Sequence, residues 1–422
     1  MTAFQVRTLC ILLVLQAVVS YRSVPRVLHL FASQTPLIVT WIPHFTSVIN
    51  WTLRLGLGLL KQVSPINKPW LAIIDHSIDI GTKKALVVLR VSLDALSKSD
   101  GAITLKECEC IGLTVSEVVN GDTISQQLKA IFDQSGTPSA IIKDGDYTLQ
   151  KGVRLWSDTI ADDIPVIDDI GHVMATALKK QYQNDLGYQR FTSLVSKAGK
   201  KLRQTVLAFL SPPKLRTKGR FQSIGRLGKW GKKVLEVLSP KKEHEEVELL
   251  DKLREALPDL DVSRPFIEQF ASTAKVVSDS LCILKNTGLT AESYKQCYQL
   301  SDEFDEDSVV KPLLQDWLKR QFKIQQQLTK LPLLVSSDII ESLFGRFKHV
   351  IERSPQADMN RTTLLIPALC GSHDKLTVEY AFKQVRHHDL SLWESENISY
   401  TMRKKRQEFF LKKIHKVGSI LG

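Results

Sequence analysis

The hydrophobic pattern divides this chain into stretches of different period. Residues 1–66 repeat their apolar positions at helical spacing, whereas residues 67–182 hold short apolar runs between amphipathic stretches. Residues 183–330 return to the helical period with few strand signals, and residues 331–422 keep it. The pattern therefore predicts a helical N-terminal segment, a mixed α/β region, a large helical block and a last segment that begins with a helix and ends in a basic helix at 402–416.

Five apolar runs between residues 67 and 182 predict the strands of one sheet. They are WLAIID (70–75), ALVVLRVSL (85–93), AITLKECECIGL (102–113), PSAIIKD (138–144) and IPVID (164–168). Amphipathic helical patterns follow the third, fourth and fifth runs, at 122–136, 146–156 and 170–182. The order β-β-β-α-β-α-β-α predicts an α/β fold with a mixed five-stranded sheet and flanking helices.

Residues 1–66 contain two further helical patterns, at 22–31 and 43–62. In the second, Asn50, Arg54 and Lys61 fall near one face, which is typical of a helix-turn-helix segment that reads DNA. Gly56 and Gly58 each disfavour a helix interior by roughly 1 kcal/mol, so a break is expected there. A plain helical bundle is the alternative interpretation.

The apolar run at residues 9–19 resembles a secretory signal peptide but is too short to span a bilayer. We interpret it as a buried first helix, with a secreted binding protein as the alternative. The six cysteines form no zinc-binding spacing and no C-x-x-C pair. They indicate reduced, mostly buried thiols of a cytoplasmic protein. We expect no membrane partner.

The charge balance favours a polyanionic partner. The chain of 422 residues carries 57 Lys and Arg against 45 Asp and Glu, a formal net charge of +12, which suits nucleic acid. One stretch, residues 214–233, contains no acid. We expect DNA contacts from its basic residues and from the tryptophan between them, and a solvated basic loop is the alternative. These residues are Lys214, Arg216, Lys218, Arg220, Arg226, Lys229, Trp230, Lys232 and Lys233.

Three acidic residues stand at informative places. Asp75 closes the first predicted strand, Asp144 closes the fourth, and Glu341 lies inside the helical pattern 336–352. A carboxylate at the tip of a buried strand is costly unless a cation or hydrogen bonds satisfy it. Three carboxylates brought together would form a hard, oxygen-rich site suited to Mg²⁺ or Mn²⁺. Taken singly, each acid could equally be a turn or surface residue, and Asp79 and Asp146 are rivals for these roles.

These residues resemble the DDE transposases of bacterial insertion sequences, which have a ribonuclease-H-like catalytic domain. The resemblance covers residues 69–182 and 331–351, and the helical block between them looks like the insertion domain of that family. Asp169 and His172 match its D-x2-H motif, and Lys348 matches the lysine that follows the glutamate by seven positions. Leu334 and Ser337 stand where a signature of one subgroup has Tyr and Arg, which argues against that subgroup.

The resemblance implies a function and an organisation. A core at 67–182 and 331–422 would be interrupted by the insertion 183–330 and preceded by the DNA-reading segment 1–66. Asp75, Asp144 and Glu341 would bind two Mg²⁺ or Mn²⁺ ions for cleavage and strand transfer at transposon ends. Asp169 and His172 would support the acids, and Lys348 would bind a DNA phosphate.

Transposition joins two ends to a target, so the resemblance also implies a homodimer or larger assembly on DNA, in the bacterial cytoplasm at the nucleoid. Two alternatives share the fold. One is a metal-dependent nuclease, and the other is a catalytically inactive, transposase-derived DNA-binding protein.

Overall fold

The structure is a computed structural model of the chain. It describes all residues except 36–38, 40, 81–82, 100–101, 161–162, 216–220, 222–223, 240–246, 259, 352–358, 399, 402–403 and 412–422. The side chains of residues 77–80 and 247 also lie outside the described part. The chain divides into two compact units. The first comprises residues 1–95, 103–167 and 337–422, and the second comprises 96–102 and 168–336.

Five strands form a single mixed sheet. They are β1 (Trp70–Ile80), β2 (Lys83–Ser92), β3 (Cys108–Ser116), β4 (Ala140–Lys143) and β5 (Val166–Asp168). Their order is β3-β2-β1-β4-β5. β2 is antiparallel to both β1 and β3, whereas β1 and β4 are parallel. The five predicted strands and the ribonuclease-H-like fold class are confirmed.

The helices lie before, between and after the strands. In chain order they are α1 (Ala3–Leu15), α2 (Ser23–Gln34), α3 (Phe45–Lys61), α4 (Ala95–Lys98), α5 (Gly121–Ser135), α6 (Tyr147–Ser157), α7 (Ile170–Tyr182), α8 (Leu186–Leu202), α9 (Ile224–Val237), α10 (Val247–Ala256), α11 (Leu260–Thr287), α12 (Ala291–Leu300), α13 (Val310–Leu328), α14 (Asp338–Val350), α15 (Leu365–Ala368), α16 (Lys375–Gln384) and α17 (His387–Asn397).

Local capping explains where the element boundaries differ from those predicted. β3 starts at Cys108 and not at residue 102, because Thr104 caps a short 3₁₀ turn at Leu105–Glu107. α5 begins one residue earlier than predicted, because the Asn120 side chain accepts a hydrogen bond from Thr123 N. α5 also ends one residue earlier than predicted, at Ser135, because Gly136 has a φ of 86° and leaves the helical conformation.

One face of the sheet packs against α5 and α6. Side chains alternate between faces along a strand. Trp70, Ala72 and Ile74 of β1 thus share one apolar cluster with residues of the two helices, including Phe132 and Trp156. The intervening β1 residues point to the opposite face, where α14 packs against β1 and where α3 and α15 pack against β3.

Helix α3 is a core element of the first unit, which corrects the expectation that it reads DNA and breaks at its glycines. It runs unbroken and packs against α15, α16 and α17. A Cβ added at Gly56 would lie 1.8 Å from the Leu364 carbonyl oxygen, and one at Gly58 would lie 2.5 Å from the Ala381 Cβ. The two glycines therefore permit close helix packing, and that contact outweighs their poor helix propensity.

Arg54 stabilises this packing, which corrects its assignment as a DNA-binding residue. Its Nε donates to the Val385 carbonyl at 2.8 Å and its Nη2 donates to the Phe382 carbonyl at 3.0 Å. The guanidinium also lies 4.4 Å from the centre of the Phe382 ring. The donors thus satisfy carbonyls at the end of α16 and are not directed to a phosphate.

The apolar N-terminal run forms α1, whose Val6, Cys10, Ile11 and Val14 are buried. It packs against α2 and α3, as the interpretation of a buried first helix predicts. Within the described ranges, no helix combines the length and the apolar character needed to cross a bilayer.

The second unit contains α7 to α13 and has an aromatic core. Phe191 of α8 lies near Trp230, Phe266 and Phe270, with ring centres 5.6 to 6.1 Å apart. α9 approaches α11 closely, since a Cβ added at Gly228 would lie 2.7 Å from the Ala274 Cβ.

Candidate active site

Asp75 lies inside β1, which continues to Ile80 and does not end at Asp75 as the sequence predicted, and Asp144 directly follows β4. The parallel register pairs Leu71 with Ala140 and ends with Ile74 beside Lys143. The next residue on each strand is the aspartate. Paired strands lie roughly 5 Å apart, so the register brings these two predicted site residues side by side.

The two aspartates also follow the same phase of side-chain alternation. Asp75 follows Leu71 and Ile73 on the face opposite the cluster of α5 and α6, and Ile73 pairs with Ile142. Asp144 follows Ile142 in the same way. Asp75 is buried, with 5% exposed, and the β1–β2 register shifts directly after it. Bulges of this kind frequently orient side chains beside active sites.

A hydrogen-bond network joins β1 to the turn that follows β4. His76 Nε2 lies 3.1 Å from Asp146 Oδ1, and the Asp146 backbone N–H donates to Asp144 Oδ1 at 2.9 Å. Asp146 also caps α6 by accepting from Thr148 N at 2.8 Å and Leu149 N at 3.0 Å. These bonds give Asp146 a helix-capping role, so Asp144 is the better candidate of the two acids for a metal ligand.

The electrostatics of Asp146 favour its charged form. Burial raises the pKa of its carboxyl. The hydrogen bond from Leu149 N, the charge and hydrogen bond of His76, and the bond from Thr148 N together outweigh burial, so the pKa lies below its ordinary value. Sequence reasoning missed His76, although a histidine directly after a strand-end aspartate was a visible signal.

Glu341 lies in the first turn of α14, the helix that packs against β1. Ile340, Leu343 and Phe347 bury one side of this helix, and the Glu341 side chain is exposed beside them. Lys348 follows seven residues later and is half-buried. Residues seven apart are nearly two turns apart and share a helix face, as the sequence predicted.

The donor chemistry fits a hard divalent cation in part. Asp75 and Asp144 offer two adjacent carboxylates, the ligands that Mg²⁺ and Mn²⁺ prefer. In the part of the chain that the structure describes, no three His, Cys, Asp or Glu side chains lie close enough together to hold a metal ion. Among the described residues, the structure therefore does not gather Asp75, Asp144 and Glu341 into a three-carboxylate cluster.

Asp169 and His172 lie at the start of α7, in the second unit. The Asp169 carboxylate accepts from His172 N at 2.8 Å and lies 3.3 Å from His172 Nδ1. Asp169 is buried with 2% exposed and caps the helix. The D-x2-H spacing thus produces a local helix cap, and any role towards the acids stays a prediction.

The predicted DNA-binding residues of the basic stretch have different environments. Arg226, Lys229, Lys232 and Lys233 are exposed on α9. Three further residues predicted to bind DNA lie outside the described residues: Arg216, Lys218 and Arg220.

Trp230 is a core residue, which corrects its assignment to DNA contact. It is 7% exposed, and its Nε1–H donates to the Leu210 carbonyl at 2.8 Å. Its ring also stacks near Phe191. An indole buried in this way has no free face for a nucleic-acid base.

No protein-family model matches the sequence, and no curated protein matches it. Among solved structures, the Drosophila P element transposase strand transfer complex is similar, with 13% sequence identity and a TM-score of 0.42. The match covers 87% of this chain and 92% of that chain. The fold of this protein is assigned from its own sheet order and strand directions, which are ribonuclease-H-like.

Proposed function

We propose that this protein is a DNA transposase that cleaves the ends of a mobile element and joins them to target DNA with divalent metal ions. One observation carries the proposal. The parallel register of β1 and β4 ends with Ile74 and Lys143, the residues directly before Asp75 and Asp144, in a ribonuclease-H-like sheet. Paired acids at this place supply the ligands that phosphoryl transfer with metal ions requires.

Each side chain has a role in the proposed reaction. Asp75 and Asp144 bind the metal ions, and Glu341 supplies the third carboxylate from α14. When bound, two such ions lower the pKa of the attacking water or hydroxyl and neutralise charge at the phosphate. Lys348, on the same face of α14 as Glu341, binds a neighbouring DNA phosphate. The chain itself contributes positioning and charge neutralisation, and no covalent protein intermediate is needed.

The remaining proposals concern organisation and partners. The core 67–182 and 331–422 carries the chemistry, and the insertion 183–330 contributes basic contacts from Arg226, Lys229, Lys232 and Lys233. Transposon ends and target DNA are the partners, and a homodimer or larger assembly holds two ends. We place the protein in the cytoplasm with the nucleoid, as expected for an element of the bacterial insertion-sequence type.

The test is strand transfer by the purified full-length chain. Labelled fragments of the DNA that flanks the coding sequence serve as donors, with supercoiled plasmid as target and Mg²⁺ or Mn²⁺ present. We expect joined products from the wild type and none from Asp75→Asn, Asp144→Asn or Glu341→Gln. Asp338→Asn is the matched control, because Asp338 is the other acid in the first turn of α14.

Two outcomes oppose the proposal. If Asp75→Asn formed joined products at the wild-type rate, the assignment of the metal ligands would be wrong. Metal-dependent cleavage without joining would support the alternative function of a nuclease with the same fold, which shares the paired aspartates.

A further inference from the structure

The net charge of this protein comes from one short stretch. Residues 186–239 hold 13 Lys and Arg and a single acid, Glu236. The rest of the chain has 44 basic and 44 acidic residues and is therefore neutral. A polycationic stretch in an otherwise neutral protein marks a surface that binds a polyanion.

The described cations of this stretch are all exposed and carry no acidic partner. They are Arg190, Lys197, Lys200, Lys201, Arg203, Lys214, Arg226, Lys229, Lys232 and Lys233. Among the residues that the structure describes, no acid forms an ion pair with any of these ten cations. Lys201 Nζ donates a hydrogen bond to the Glu255 carbonyl oxygen. Several other cations of the second unit are paired with acids: Lys252 with Glu248, Arg264 with Asp261, and Lys275 with Asp279.

Three of the unpaired cations surround a cavity of about 210 Å³. Lys200 and Arg203 come from the end of α8, and Lys214 comes from the loop that follows. Pro212 and Pro213 complete one wall, and no described residue of the lining is acidic. Pockets for whole small molecules are usually larger, roughly 300 to 1,000 Å³, so this cavity suits a phosphate of a longer ligand.

The loop between α8 and α9 also presents apolar side chains to solvent. Phe209 and Val206 are each 70% exposed. The neighbouring Leu210 is buried, and its carbonyl accepts the Trp230 Nε1–H bond. That bond ties the loop to α9, so the exposed phenyl ring belongs to a loop held against the basic helix.

We infer that the α8–α9 surface binds single-stranded DNA, with phosphates at Lys200, Arg203 and Lys214 and an unpaired base stacked on Phe209. Cations that follow a backbone together with an exposed aromatic ring are the usual means of binding single strands. Bases inside a duplex are already stacked and cannot use the ring. The inference has the same ligand, DNA, as the proposed function, but it concerns a different site that needs no metal ion.

The test measures binding of a labelled single strand of about ten nucleotides by fluorescence anisotropy, in EDTA and over a range of salt concentrations. The triple variant Lys200→Gln, Arg203→Gln, Lys214→Gln should lower the slope of log K against log salt by about 2. The control, Lys252→Gln, Arg264→Gln, Lys275→Gln, removes the same charge from cations that are already paired, and its slope should match that of the wild type.

Phe209→Ala should weaken single-strand binding by about tenfold and leave duplex binding unchanged, whereas Phe209→Tyr should bind as the wild type. Equal slopes in the two triple variants would overturn the inference. If Phe209→Ala lost the same affinity for single strands and for duplexes, the proposed stacking of a base on Phe209 would be wrong. If Phe209→Ala changed the molecular mass of the protein in solution but not its DNA affinity, the ring would belong to a protein interface. That result would also overturn the inference. Because EDTA excludes catalysis, these results do not depend on strand transfer.

Discussion

His76, the residue after Asp75, lies within 3.1 Å of the Asp146 carboxylate, two residues after Asp144. The contact links β1 to the turn that follows β4, beside the two aspartates. The Asp146 N–H then fixes the Asp144 carboxylate at 2.9 Å. We interpret His76 as a positioning residue for the pair.

Removing this contact should change metal binding more than stability. His76→Leu removes one hydrogen bond but also a buried ring nitrogen, Nδ1, that has no partner in the described part of the chain. We expect the free energy of unfolding to change by no more than about 1 kcal/mol. Mn²⁺ affinity, measured by calorimetry, should fall roughly tenfold or more, and His76→Gln should restore much of it. Equal Mn²⁺ affinity in wild type and His76→Leu would show that the contact is only structural.

The glycines of α3 should not tolerate alanine. In Gly56→Ala the new methyl meets the Leu364 carbonyl oxygen, so we expect the free energy of unfolding to fall by about 1 to 3 kcal/mol or more. Gly345→Ala in α14 is the matched control, because no atom lies within 4 Å of the added Cβ. The free energy of unfolding of Gly345→Ala should rise by about 0.5 to 1 kcal/mol, because alanine has the higher helix propensity. Urea unfolding measures both, and a stabilised Gly56→Ala would contradict the packing.

Replacing Arg54 should change the free energy of unfolding and should not change DNA binding. Arg54→Met removes two hydrogen bonds from a charged donor to the end of α16, at a cost of roughly 1.5 to 3 kcal/mol in the free energy of unfolding. The salt dependence of DNA binding should stay unchanged, whereas Arg226→Gln should lower its slope by about 1. A lower slope in Arg54→Met would restore the original assignment.

The cysteines should react unequally with a thiol reagent. Burial raises the pKa of Cys10, Cys108, Cys110 and Cys297 to about 12. Their thiols therefore stay protonated at pH 8, and the thiolate is the reactive form. Cys282 is the exposed cysteine of the six. We expect one equivalent to react quickly in the native protein and all six after unfolding. Rapid reaction of the native Cys282→Ser variant would contradict this burial.

The sequence predicted the sheet well because its signals are local. Each strand contains a compact apolar run with a turn or helix signal beside it, and the acids at the ends of WLAIID and SAIIKD directly follow the last pair of β1 and β4. Register then follows from the parallel pairing of these runs. The adjacency of Asp75 and Asp144 was therefore accessible, whereas the position of Glu341 depends on how α14 packs.

The sequence failed where a residue type has two physical uses. Gly56 and Gly58 weaken a helix in isolation but allow close packing once a partner is present. Trp230 and Phe209 both lie among basic residues, and the tertiary core decides which ring is buried. Arg54 has the charge for DNA, but the carbonyls at the end of α16 bind it first. None of these partners is visible in the local pattern.

The central claim is that Asp75, Asp144 and Glu341 bind metal together. Anomalous X-ray diffraction from crystals soaked in Mn²⁺ tests it most directly. We predict an anomalous peak within about 2 to 2.5 Å of both aspartate carboxylates, with Glu341 turned towards the same site. Crystals without a peak between the two aspartates, at a Mn²⁺ concentration that supports DNA cleavage, would contradict the claim.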